Sequence, residues 1–348
     1  MKKNSKGFML VEVLTGMILQ AGLVLMLCGA FYVLLEFGNN AQKILTARER
    51  GRRVIEYIDS RVRHAGLGLR KCKSSEEICN ALQRITPLRN LKLPVAITDH
   101  ELNRYSENKR TRGNFLTLLY AQREVNYETN EATSRTISLL ITPGGGLQSK
   151  DISAGSFHNC SFLSSELSSL NKNIYDFTFG ASKRSNGLTS NTNIKNWAAL
   201  RGEGLPVVVS RQSDYDKIRI NVPANTPGGS ATIYAGEELL YLNCERMYAR
   251  FNEEEGERSF YIQDLTSRWG ERTPHEIGIL EIYFELVEEK NILYLWVLSS
   301  GGESPRVIPR PSAWPSQAPW EEDFSKKVLY VSRASWKLRN IPEGFEWN

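Results

Sequence analysis

From Phe8 to Leu35 the chain is almost unbroken apolar, with Glu12 as its single charge and Gln20 as its one strongly polar neutral residue. About 20 such residues cross a hydrocarbon core of about 30 Å, so the pattern predicts a transmembrane helix over 8–35. No breaker follows. The chain turns amphipathic instead, with apolar or small residues at Ile44, Ala47, Gly51, Val54, Ile55, Ile58, Val62 and Ala65. Steps of three and four place these on one stripe of a helix. Arg48, Arg50, Arg52, Arg53, Arg61 and Arg63 mostly fall off the stripe and read as a solvated face. Gly66 and Gly68 supply a stop. The expectation is one helix over 8–66, roughly 85–90 Å long at its ordinary rise. Its first half lies in the membrane, and its second half offers one apolar face to a head.

After residue 66 the period changes. Short β-rich runs dominate 67–348: NFLTLLYAQ, TISLLIT, LPVVVSR, DKIRINV, ELLYLNC, RMYARFN and RSFYIQD. IGILEIYFELVEEKNILYLWVL reads as a hairpin turning near Glu288 to Asn291, and KKVLYVSRASWKLRN as the last strand. Short helices are expected only in SSEEICNALQRI and NCSFLSSELSSL. The fold class is therefore α+β, a long helix on a large, mainly antiparallel β head. The stretch 123–204 lacks a clean pattern and reads as a possible insertion. The stretch 299–325 holds five prolines together with Trp314 and Trp320, and reads as a surface loop. Exposed aromatics there would mark a partner contact.

Composition narrows the function. Charged residues make up 24% of the chain, so disorder is not indicated. A net charge of +5, spread along the chain, is weak support for nucleic-acid binding. Of five cysteines, Cys28 lies in the apolar run. Cys72, Cys79, Cys160 and Cys244 lack the tight spacing of a zinc site or redox dithiol, and outside the cytoplasm they could form two disulfides in three connectivities. The four histidines, His64, His100, His158 and His275, form no close ligand pattern. There is no GxSxG elbow and no phosphate-binding loop; the glycines of TPGGGLQ read as a turn, and NEEEGE as a hairpin tip. No enzyme, metal or cofactor is expected.

A carboxylate inside a membrane segment costs roughly 2.5–3.5 kcal/mol at the bilayer centre, so Glu12 needs a partner. The residues before it suggest one. Residues 1–7 read MKKNSKG, a basic leader whose lysines stay cytoplasmic by the positive-inside rule. GFMLVEVLTGMIL resembles the processing motif of type IV pilins and type II secretion pseudopilins. In that family the leader is cut after the glycine, the new N-terminal residue is methylated on its amine, and a glutamate stands fifth in the mature chain. Gly7, Phe8 and Glu12 match these positions; Met9 departs from the common threonine or serine. RRVIEYIDSRVRHAGLGLRKC and GEELLYLNCERMYARFN resemble minor pilins of the PilW type and pseudopilins of the GspJ type, with Cys72 and Cys244 at matching cysteines.

The resemblance implies leader cleavage at Gly7 and Phe8, N-methylation of Phe8, and subunit assembly through Glu12. The implied partners are a prepilin peptidase, other minor and major pilins, and an inner-membrane assembly platform. The implied place is a single-pass inner-membrane anchor with an extracytoplasmic head, then a filament. Between the two machines, head size and the Cys72 and Cys244 pattern favour a pilus over type II secretion. An adhesin or DNA-uptake subunit binding through its head, and an anchored periplasmic enzyme, are the rivals. Thr15, Gly22 and Gly29, seven apart, mark a possible packing face between helices.

Overall fold

In a computed structural model of the chain, the structure describes residues 5–82, 91–99, 114–122, 125–128, 134–137, 140–163, 197–211, 217–252, 256–265 and 272–347. The long helix is continuous: α1 runs Ser5–His64, 60 residues, about 90 Å of helix at its ordinary rise. Its amphipathic stripe is the buried one. Ala47, Gly51, Val54, Ile58, Val62 and Ala65 are buried, Ile55 half-buried, and Ile44 alone of the stripe stays exposed. The head covers the stripe but not the apolar run, whose side chains stand open from Leu10 to Phe37.

A second helix, α2 (Ser75–Ala81), starts at a Ser-x-x-Glu box. Ser74 accepts the Glu77 N–H at 3.1 Å, and Glu77 reaches back to the Lys73 N–H at 2.6 Å. These bonds satisfy donors that a helix start leaves open.

The head is built of antiparallel strands. In chain order they are β1 (Val95–Asp99), β2 (Asn114–Gln122), β3 (Val125–Glu128), β4 (Ser134–Ile137), β5 (Leu140–Pro143) and β6 (Ser149–Ser153). Then come β7 (Phe157–Phe162), β8 (Trp197–Leu200), β9 (Leu205–Arg211), β10 (Lys217–Asn221), β11 (Ser230–Tyr234) and β12 (Glu237–Asn252). The last five are β13 (Glu257–Asp264), β14 (Arg272–Ile277), β15 (Ile279–Val287), β16 (Ile292–Glu303) and β17 (Lys327–Lys337).

Three assemblies result. First, β12, β5, β7, β10, β9 and β8 pair in a ring that closes back on β12, a small barrel. Ile141, Cys160, Val207, Val209, Ile218 and Ile220 bury inside one core, and the β6–β11 ribbon adds Ile152, Ala231 and Ile233 to it. Second, β12 continues past the barrel and pairs with β2 and β13, extending to β1 and β14. Third, β15, β16 and β17 form their own sheet, which lies against the second half of α1. Asn114 joins the second and third assemblies, donating to the Phe284 carbonyl at 2.7 Å and accepting its N–H at 2.9 Å.

The β15–β17 sheet is covered on both faces. Ile282, Phe284, Leu293, Leu295 and Val297 bury in the main core with α1. Leu280, Leu298, Tyr283, Trp296, Leu329 and Val331 face a second cluster supplied by Trp314, Ala318, Trp320 and Phe324. The proline-rich stretch is thus a strap with its own small core. This corrects the expectation of exposed loop aromatics: Trp314 is only 3% accessible. Its indole N–H donates to the Pro319 carbonyl at 3.0 Å, and Arg310 donates to the carbonyls of Pro315 and Ala318. Before its short 3-10 helix, Glu322–Lys326, the strap must find acceptors and donors within itself, and these bonds supply them.

Candidate functional site

α1 carries the candidate site, and its two halves have different surroundings. Among the described residues it is the one helix long and apolar enough to cross a membrane, and its best 18-residue window has a mean hydropathy of 2.3. Gly7 and Phe8 lie in its first turn. Glu12 follows about one turn later, exposed, with no hydrogen bond or ion pair from its side chain to a described residue of its own chain. Thr15 turns inward on the helix itself, its hydroxyl donating to the carbonyls of Val11 and Glu12 at 2.9 and 3.0 Å. A Cβ added at Gly22 or Gly29, seven residues apart on one face, would meet nothing within 4 Å, so that face is open for close approach by another helix.

The second half is held to the head by close backbone approach. The Ser299 hydroxyl donates to the Ala47 carbonyl at 2.6 Å, Lys43 donates to the Glu303 carbonyl at 2.6 Å, and Arg50 to the Ser300 carbonyl at 2.7 Å. Three glycines make this approach possible. A Cβ on Gly301 would lie 1.9 Å from the Lys43 carbonyl oxygen, on Gly278 2.0 Å from the Arg50 guanidinium, and on Gly51 2.2 Å from the Ser332 hydroxyl. Hydrophobic periodicity does not reveal this docking. Glycines inside strand-like runs, such as SSGGE, are the signal that marks such a close approach.

Farther along α1, Arg61 donates to Glu245 at 2.5 Å, and the Tyr120 hydroxyl donates to the same carboxylate at 2.9 Å. His275 sits 5.1 Å, ring to ring, from Tyr57; burial and the nearby Arg61 push its pKa down, against the pull of Glu245. Asp59 accepts from Arg63 at 2.7 Å and from the Trp336 indole at 2.7 Å, and these bonds hold its carboxyl below the usual range. The arginine run therefore divides. Arg52 pairs with Glu49 and Arg63 with Asp59 along the exposed face, Arg53 bridges Glu49 and Glu276 of β14, and Arg50 and Arg61 reach into the head. A face neutralised in this way is poorly suited to phosphate tracking.

The cysteines stand as thiols, so the two disulfides open to Cys72, Cys79, Cys160 and Cys244 are absent. The four lie on different elements: the turn before α2, α2 itself, β7 and β12. Cys79 donates to the Leu91 carbonyl at 3.1 Å. Burial pushes the thiols of Cys72 and Cys160 up to about 12, so they are inert as nucleophiles.

Among the described residues no group of three or more His, Cys, Asp or Glu could hold a metal. His64, His158 and His275 lie apart, and His100 is outside the described residues. Within NCSFLSSELSSL the first four residues belong to strand β7, not to a helix, and the stretch from 164 on is outside the described residues. No protein-family model, curated protein or solved structure matches the chain.

Proposed function

We propose that the protein is a minor pilin of the PilW type, a structural subunit that primes a type IV pilus or sits at its tip. The observation that carries this reading is the coincidence on α1. A basic leader, Gly7, Phe8, Glu12 and an unbroken apolar run precede a half-buried helix on a β head. Cutting after Gly7 creates an ammonium at Phe8 beside the apolar layer. Ammonium and carboxylate together cost far less there than either alone, so Glu12 of one subunit receives the amine of the next and fixes its register. The uncovered first half of α1 agrees with this, since its apolar side chains need lipid or neighbouring helices. The bulk of the head favours the tip, where no packed shaft constrains it.

The test is the mass of the mature chain. Coexpression with a prepilin peptidase shortens the protein by 1–7 and adds a methyl group to Phe8; Gly7→Val leaves the leader in place. A Glu12→Gln protein is cut normally but enters filaments at least tenfold less. An unchanged mass in the presence of active peptidase overturns the reading. A type II secretion pseudopilin makes the same first prediction, and is separated from it by which machine's filament retains the protein.

A further inference from the structure

A cavity of about 350 Å³ opens where α1 ends, lined by Gly66, Leu67, Gly68, Gly204, Ile341 and Pro342, together with Asn340 and three arginines. The arginines are Arg70, Arg201 and Arg339, and no acidic side chain lines the cavity. Arg70 spends one N–H on the Gly202 carbonyl at 2.6 Å, which leaves its charge uncompensated. Arg201 is paired with Glu238, which stands behind the wall. Arg339 is exposed and makes no hydrogen bond or ion pair with the described residues.

A helix C-terminus ordinarily repels anions through its open carbonyls. Here three of the last four are closed off. The Val62, Arg63 and His64 carbonyls accept from the Ala65 N–H, the Asn340 side-chain amide and the Leu67 N–H. The lining therefore carries net positive charge, with Arg339 and the remaining N–H groups of Arg70 available to a ligand.

We infer that this cavity binds a phosphate or sulfate ester group on a sugar-sized body. The forks of Arg70 and Arg339, neither matched by a carboxylate, offer more N–H groups than the two oxygens of a carboxylate ligand can use, and fork-shaped donors suit tetrahedral oxyanions. The volume lies at the small end of ligand pockets, so it admits one charged unit rather than a polymer. The inference does not depend on the filament reading, because none of these residues belongs to the apolar run or its leader.

The test is calorimetric titration of the full chain in neutral detergent micelles with inorganic phosphate, inorganic sulfate and glucose 6-phosphate at constant ionic strength. Saturable binding is expected, with glucose 6-phosphate the tightest. Affinity falls at least tenfold in Arg339→Gln, which disturbs no internal bond, and is unchanged in Arg52→Gln on the far helix face. Tighter binding of sulfate than of phosphate assigns the natural group to sulfate esters, and the reverse assigns it to phosphate esters. No saturable heat with any of the three, or equal losses in Arg339→Gln and Arg52→Gln, overturns the inference.

Discussion

Arg258 shows how one side chain can fasten a whole segment. It is 8% accessible and donates to the Leu280 carbonyl at 3.1 Å, to Glu281 at 3.4 Å and to Glu321 at 2.7 Å, with the Phe324 ring 5.6 Å from its guanidinium carbon. Glu321 and Phe324 belong to the strap, whereas Leu280 and Glu281 belong to β15. Arg258→Met keeps the length and removes the charge that faces both the deeply buried Glu281 and Glu321. Losing one member of a buried pair costs about 3–5 kcal/mol, so the apparent melting temperature drops and tryptophan fluorescence shifts red as Trp314 is wetted. An unchanged melting curve would show that the strap is held by its apolar cluster alone.

His275 sets a pH dependence of definite sign. Its pKa is lowered in the folded protein, first by burial and then by Arg61, so the unfolded chain binds the proton more readily. Its contribution is complete above the ordinary histidine value near 6.5 and is lost as pH falls through the depressed folded value. Melting temperatures of the full chain should fall between pH 7.5 and 5.5, and His275→Gln should flatten that fall. A steeper fall in the variant would contradict the assignment.

At the scale of elements, the docking of α1 on β16 depends on the missing side chain at position 301. Gly301→Ala forces the Lys43 carbonyl or the strand to move, since a Cβ cannot sit 1.9 Å from an oxygen. Overpacking of this kind costs about 1–3 kcal/mol, read as a shift in the urea midpoint, and the hydrogen bond from Lys43 to the Glu303 carbonyl is the first to break. Gly302→Ala meets nothing within 4 Å, so any cost there reads the backbone strain of its φ of +114° rather than overpacking.

The same scale shows what the sequence made legible. α1, α2, β2, β9 and the β15–β16 hairpin follow from periodicity, with the turn at Glu288–Lys290 and Asn291 in the left-handed region. Two runs that read as separate strands, ELLYLNC and RMYARFN, are one strand, β12. Local pattern cannot tell a break from a continuation when both halves alternate. The short strands β6, β7, β8 and β11 escape such a reading because four to six residues carry too little period to stand out. The first three fall within the supposed insertion 123–204, of which 164–196 lies outside the described residues. Gly7, Phe8 and Glu12 could be offered as candidates from the sequence alone because they are neighbours in the chain. Arg70, Arg201 and Arg339 could not, because only folding brings them together.

For the whole molecule, the thiols report on global opening. Cys160 lies in the barrel, Cys72 at the α2 end of the core and Cys244 on β12 between them, all buried. With the Cys72 and Cys160 pKa values raised to about 12, an aromatic disulfide reagent at pH 8 should label the native protein slowly at these two positions. The reagent should label all five cysteines once the chain is denatured without reductant. A shortfall of two or four thiols in the denatured sample would mean that disulfides had formed.

Strand β12 belongs to two bodies at once: its first residues close the barrel through β5 and β8, and its last pair with β2 and β13 beneath α1. Along β12 no linker separates the two. A load applied to the barrel reaches the long helix as leverage through this strand and through the bonds of Arg70 and Lys71 to residues 202–204, and the head works as the short arm of a crank rather than as a tethered float.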